Sequence, residues 1–266
     1  MILAANVNNS HISFGVFKDG KECVVLHDFK ISTGIEKTSD EYVVTVRNIL
    51  DHSDVALDAF SGAIISSVIP SLTDVIAQTI YKLIGIRPMI IGPGVKTGVP
   101  IKIDNPSELG ADLVANASAV VSENKTNGAL SQASIILDMG AATTMFAINS
   151  FGEYIGGCIF SGVRMSLDSL HGKTAQLPSV SASLPEKAIG KNSQDSLRSG
   201  VLLGTAMMIE GFVSRFEKEM KCRLGEARLF ATGEYAENVL SACSHKFKYD
   251  PLLTLKGLYY IYSRNN

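Results

Sequence analysis

Two short polar turns between apolar, β-prone segments hold the residue types best suited to cradling an anion. The first, Asn6-Val7-Asn8-Asn9-Ser10, lies between the apolar residues 2–5 and a stretch in which Ile12, Phe14 and Val16 alternate with polar neighbours. The second, Asp138-Met139-Gly140-Ala141-Ala142, runs into Thr143 and Thr144 and is bounded by the apolar residues 134–137 and the β-prone residues 143–148. Backbone N–H groups exposed in such turns can bind phosphate. Gly, and less readily Asn, tolerates positive φ, which suits Asn8, Asn9 and Gly140 to a tight cradle. Each turn taken alone reads first as an ordinary hairpin connection. Their pairing points to a nucleotide.

Other groups able to meet phosphate are Lys96 and Lys191, although a solvated surface charge is the commoner role of each. The four cysteines, Cys23, Cys158, Cys222 and Cys243, lack CxxC spacing and suggest neither a zinc site nor a disulfide framework, so reduced thiols in a cytoplasmic protein are expected. Hydrophobic residues make up 46% of the 266 residues and charged residues 19%, with a formal charge of −2. That is the composition of a folded α/β protein with no basic excess for a nucleic-acid backbone or an anionic membrane. The N-terminal residues resemble no signal peptide, and no apolar run approaches the roughly 18 residues of a spanning helix.

The elements that must position the turns follow from periodicity. Residues 2–5 and 12–16 read as strands, Lys18-Asp19-Gly20 as a turn, and residues 23–26 as a third strand, giving an opening β-meander. Helical spacing appears over residues 42–50 and 72–83, with strands at 63–68 and 88–91. Asn105-Pro106-Ser107-Glu108 has the cap, the first-turn proline and the reciprocal acid of a helix start, and the helix it opens is expected to carry Asp112 in its first two turns. The Asp138 turn begins 132 positions after Asn6, almost half the chain. A duplicated β-meander domain explains this rhythm, with one domain over residues 1–117, a second over 118–266, and the two turns facing a central cleft.

The ordered set of motifs resembles the type III pantothenate kinases. Asn6-Val7-Asn8-Asn9-Ser10 is similar to their Asp-x-Gly-Asn-Thr/Ser phosphate motif and Gly110-Ala111-Asp112 to Gly-Ala-Asp-Arg. Asp138-Met139-Gly140-Ala141-Ala142-Thr143-Thr144 is similar to Asp-Phe-Gly-Thr-Ala-Thr-Thr. The glycine-rich Gly156-Gly157, Ile159 and Gly162, then Thr174-Ala175-Gln176-Leu177-Pro178, Ile189-Gly190-Lys191-Asn192-Ser193, Thr232-Gly233 and Asp250-Pro251 continue the resemblance in order. It implies two duplicated actin-like (ribonuclease H-like) domains of the acetate kinase/hsp70/actin superfamily. It also implies transfer of the ATP γ-phosphate to pantothenate, the first step of coenzyme A synthesis.

The resemblance further assigns roles. Asp112 would be the general base, accepting the hydroxyl proton while the oxygen attacks in line; without the motif, an Asp favoured by the helix dipole explains it. Asn6, Asn8, Asn9, Ser10, Gly140, Thr143, Thr144 and Gly233 would meet the nucleotide. Ile103, Gly110, Ala111, Asp112, Leu113 and Thr174 would meet pantothenate. Asp138 would help hold potassium or ammonium, and Asn6 would stand at the magnesium position. Asp138 could equally stabilise its own turn, and Thr174 could equally bond its own backbone. A homodimer with the active site near its interface is implied as well, in keeping with the apolar, glycine-punctuated residues 156–170.

Departures fall at the same places. Asn6 replaces the motif's Asp, Asn8 its Gly and Leu113 the Arg after the base, while Ile103 stands for a Tyr, Ala141 for a Thr, Ser161 for a Pro and Glu234 for a Gly. A neutral amide binds magnesium less well than a carboxylate, and Leu113 removes a cation able to pair with phosphate. Weakened turnover is therefore expected. The alternatives are a binding or regulatory homologue and a kinase of another small alcohol.

Overall fold

Strand β1 (Ile2–Val7) is buried along its whole length in a computed structural model of the chain, which describes residues 1–126 and 132–266. Burial of every side chain means that both faces of its sheet are covered, and the apolar run at residues 2–5 reflects this. From β1 the chain turns into β2 (His11–Phe17) and β3 (Val25–Ser32), then passes through α1 (Ser39–His52), β4 (Gly62–Ser67), α2 (Pro70–Ile84), β5 (Met89–Ile90) and α3 (Ala111–Thr126). A second series follows: β6 (Ser134–Met139), β7 (Ala142–Ile148), β8 (Tyr154–Ser161), α4 (Val163–Gly172), α5 (Ser193–Arg198), a π-helical turn (Ser199–Leu203), α6 (Gly204–Glu219), β9 (Arg228–Thr232), α7 (Ala236–Leu240), β10 (Lys248–Tyr249) and α8 (Leu253–Asn265).

The two sheets have one topology. Their strand orders are β3-β2-β1-β4-β5 and β8-β7-β6-β9-β10, and in each the first three strands form an antiparallel meander while the later two add in parallel. This is the expected α/β fold with a duplicated meander domain.

In the first sheet Leu3, Ala5 and Val7 face a core completed by Tyr42, Val46 and Leu50 of α1 and by Leu72, Ile76 and Ile80 of α2. The spacing of those side chains explains both helices. Thr38 closes a capping box with Glu41 at the start of α1; Pro70 begins α2 and left-handed Gly85 ends it. In the second sheet Ile135, Leu137 and Met139 meet Val163 and Leu167 of α4 and Ala206, Ile209 and Val213 of α6.

The units exchange segments, so a single cut between residues 117 and 118 does not follow their limits. Unit 1 comprises Met1–Val99, Asn105–Glu123 and Leu252–Asn266; unit 2 comprises Pro100–Asp104 and Asn124–Pro251. Helix α8 belongs to the first sheet because Tyr259 stacks on Phe17 at 5.0 Å and donates its hydroxyl to the Gly20 carbonyl at 2.8 Å. Residues 100–104 belong to the second because the Tyr154 N–H bonds the Pro100 carbonyl at 2.9 Å and the Lys102 N–H bonds the Tyr154 carbonyl at 2.8 Å.

Two local expectations are corrected. The third strand starts at Val25 and runs to Ser32, because its polar residues alternate on an edge strand rather than ending it. The Asn105 cap opens only a 3-10 turn (Pro106–Glu108): Leu109 returns to extended backbone, and the helix begins afresh at Ala111 with Asp112 as its second residue.

Candidate active site

In unit 1 Asn6 is the fifth residue of β1, paired in register with Ser13 of β2 and Ser66 of β4. Residues in register on neighbouring strands point to the same face, so the three form a polar row across the sheet. Asn6 and Ser66 are buried, and neither Asn6 Oδ1 nor Ser66 Oγ meets a hydrogen-bonding partner. Buried polar groups are ordinarily bonded. Ser66 was missed in the sequence because it lies inside the apolar strand read at residues 63–68, where nothing local sets its hydroxyl apart.

The turn beyond is held by its backbone. The Asn8 N–H donates to the His11 carbonyl at 3.1 Å, Thr33 donates its hydroxyl to the Asn8 carbonyl at 2.6 Å, and the Thr33 N–H donates to the Ser10 carbonyl at 3.1 Å. Asn8 Oδ1 is a further buried oxygen without a partner, while Asn9 and Ser10 are exposed. None of Asn8, Asn9 and Gly140 takes positive φ, contrary to expectation. The hairpins close with ordinary backbone, so Asn8 sits there without conformational strain.

Asp112 sits half-buried in the first turn of α3, its Oδ1 accepting the Leu113 N–H at 2.9 Å. Burial pushes its carboxyl above the usual carboxylate range, against the lowering effect of the Leu113 and Asp112 backbone N–H groups. Gly110 leaves room for the carboxylate. Ala111 and Leu113 are half-buried beside it.

In unit 2 Asp138 is the fifth residue of β6, in register with Thr144 of β7 and Thr232 of β9. It occupies in its sheet the place that Asn6 occupies in the other. Thr143 and Thr144 each keep a buried hydroxyl oxygen without a partner. Gly233, with φ of 99°, lies against the Met139 backbone just before Gly140. Exposed Glu234 follows; burial first, and Glu234 second, hold the Tyr235 phenol above its ordinary value. Arg164 and Asp168, paired at 2.8 Å on α4, act electrostatically on the same phenol. This grouping had no counterpart in the sequence reading, because α4 and the residues after β9 meet only through the fold.

Ile103 lies beside Gly156 in unit 2. Thr174 is exposed and donates its hydroxyl to the Leu170 carbonyl at 2.7 Å, one of the two readings open for it. Lys191 lines an open recess of about 660 Å³ with Leu170, Leu177, Asn192, Ser196 and Val201, and Lys96 is exposed. Among the described residues no three His, Cys, Asp or Glu side chains cluster to hold a metal, and no helix is long and apolar enough to cross a membrane.

The family model for type III pantothenate kinases matches residues 2–215. A type III pantothenate kinase of an Exiguobacterium species is 38% identical over 265 residues, covering 100% of this chain and 99% of its own; that of Moorella thermoacetica is 37% identical, with 100% of each covered. Among solved structures, a protein of Campylobacter jejuni described as a Baf family transcriptional activator superposes with a TM-score of 0.62 at 16% identity over 99% of this chain and 98% of its own. One described as a 2-dehydro-3-deoxygalactonokinase from Sinorhizobium meliloti gives 0.55 at 10%, over 99% and 96%. At such identities the structural likenesses establish the fold alone, two duplicated actin-like domains. The sequence relationship goes further: the chain belongs to the type III pantothenate kinase family.

Proposed function

We propose that the chain transfers the γ-phosphate of ATP to the primary hydroxyl of pantothenate, giving 4′-phosphopantothenate and ADP, the first step of coenzyme A synthesis. The observation that carries this reading is Asp112. A carboxylate in the first turn of α3, raised in pKa by burial and kept in place by the Leu113 N–H, suits a general base that takes the hydroxyl proton as the new O–P bond forms. Gly110, Ala111, Leu113, Ile103 and Thr174 are assigned to pantothenate, and Asn8, Asn9, Ser10, Gly140, Thr143, Thr144 and Gly233 to the nucleotide. The buried, unpartnered oxygens of Asn8, Thr143 and Thr144 support the second group.

The residues also fit the ions that phosphoryl transfer uses. Magnesium, entering with ATP, neutralises charge on the phosphates, and Asn6 is its proposed contact in unit 1. Asp138, with the Thr144 and Thr232 hydroxyls in register, offers the hard oxygens that suit potassium or ammonium. We place the enzyme in the cytoplasm, where its four free cysteines stay reduced. A homodimer is proposed from the apolar surface of unit 2, where Ile159 is 75% exposed, Met165 51% and Met207 68%.

Mass spectrometry of reactions containing ATP, magnesium, potassium and either pantothenate or other small primary alcohols tests this reading. The expected result is 4′-phosphopantothenate with matching ADP. Phosphorylation of another alcohol with pantothenate inert, or ATP binding without transfer, would overturn it.

A further inference from the structure

Ser66 and Ser67 are adjacent in sequence but differ in what their hydroxyls do. Ser67 donates to the Ile69 carbonyl at 3.0 Å and accepts the Ile69 N–H at 3.2 Å, closing the turn that leads into α2. The Ser66 hydroxyl bonds to nothing, although it is fully buried, and neither does Oδ1 of Asn6, its in-register neighbour on β1. The two do not satisfy each other. Two buried oxygens in register on adjacent strands, each without a partner, call for a donor that serves both.

We propose that Ser66 is a binding residue of the divalent-cation site: with Asn6 it presents a pair of oxygens to a water of hydration of the magnesium ion that accompanies ATP. The inference rests on the kinase reading and extends it to a residue outside the motifs. A carboxamide oxygen can only accept, so a bare phosphate oxygen is the wrong partner for it, whereas a metal-bound water is a strong donor of two O–H groups. Magnesium gives up its waters reluctantly and is commonly held through them. A neutral pair is adequate for such contact. Unit 2 repeats the arrangement, with Asp138 and Thr232 in register at the equivalent strand positions.

Calorimetric titration of the full chain with ATP, in magnesium and then in EDTA, tests the proposal on the unmodified protein, Ser66→Ala and Ser67→Ala. Magnesium is expected to tighten ATP binding by the unmodified protein and by Ser67→Ala, and Ser66→Ala is expected to lose about tenfold of that gain. Metal-free ATP binding should be unchanged in Ser66→Ala, and its melting temperature without ligand should be equal or higher, since only an unbonded hydroxyl is removed. A magnesium gain untouched by Ser66→Ala, an equal loss in EDTA, or no magnesium gain in the unmodified protein would overturn it. Pantothenate is absent from the titration. A chain that binds magnesium-ATP through Ser66 yet leaves pantothenate unphosphorylated would keep this inference and remove the proposed function.

Discussion

A methyl group built on Gly110 would stand 2.6 Å from Oδ1 of Asp112, so the glycine leaves open the space that the carboxylate occupies. The nearest other atom is the Asp112 carboxyl carbon at 3.8 Å, which confines the conflict to one side chain. Gly110→Ala should therefore displace the proposed base while sparing the fold. Misplacing a catalytic group by about 1 Å can cost about 10²-fold. We expect kcat to fall by about 10–100-fold with a melting temperature within about 2 °C of the unmodified protein, read by steady-state kinetics beside thermal denaturation.

Burial raises the Asp112 carboxyl, and this gives a pH signature in both rate and stability. As the proposed base, Asp112 must be ionised to act, so kcat/KM for pantothenate should fall toward acid with an apparent pKa above the ordinary carboxylate value of about 4. For stability the sign is opposite to that of a paired carboxylate. A folded pKa above the unfolded one contributes fully below the unfolded pKa and is lost as pH rises through the folded pKa. Asp112→Asn should thus melt higher than the unmodified protein at neutral pH and converge with it in acid, while losing activity.

Much of the fold was legible because local patterns and packing agree. Ile12, Phe14 and Val16 alternate in sequence and are buried in β2, and Tyr42, Val46 and Leu50 recur at helical spacing on the buried face of α1. The offset between Asn6 and Asp138 anticipated two sheets of one topology. What stayed hidden depends on distant contacts. Helix α8 joins the first sheet through the stacking of Tyr259 on Phe17, and no local signal records a pairing across most of the chain. The motifs marked Asn6, Asp112 and Asp138; Ser66 emerged only when the register of β1 and β4 placed it beside Asn6.

The two glycines near the Asp138 turn should respond differently to a methyl group. Gly233 has φ of 99°, and a Cβ there would meet the Met139 backbone at 2.5 Å. Gly233→Ala should cost about 1–3 kcal/mol or more. At Gly140 φ is not positive and the nearest atom would be the Ala142 carbonyl oxygen at 3.6 Å, an ordinary contact. Gly140→Ala should stay within about 0.5 kcal/mol. Chemical denaturation of both variants checks the contrast.

Adding the two charges that the family motifs are expected to carry should raise turnover. Asn6→Asp places a carboxylate where the magnesium site is proposed, and Leu113→Arg returns a guanidinium beside Asp112, so the double variant should gain about tenfold or more in kcat/KM. The buried carboxylate has a cost. Without ligand Asn6→Asp should melt lower than the unmodified protein, and magnesium-ATP should recover the difference.

The most direct measurement is steady-state turnover of the purified, unmodified chain on pantothenate, with ATP, magnesium and potassium, run beside Asp112→Asn and scored for 4′-phosphopantothenate. Base catalysis by Asp112 in a site lacking one carboxylate and one guanidinium predicts measurable product at below about 1 s⁻¹, falling by about 10²-fold or more in the variant. Absence of product from the unmodified chain, or equal rates in the two proteins, would contradict it.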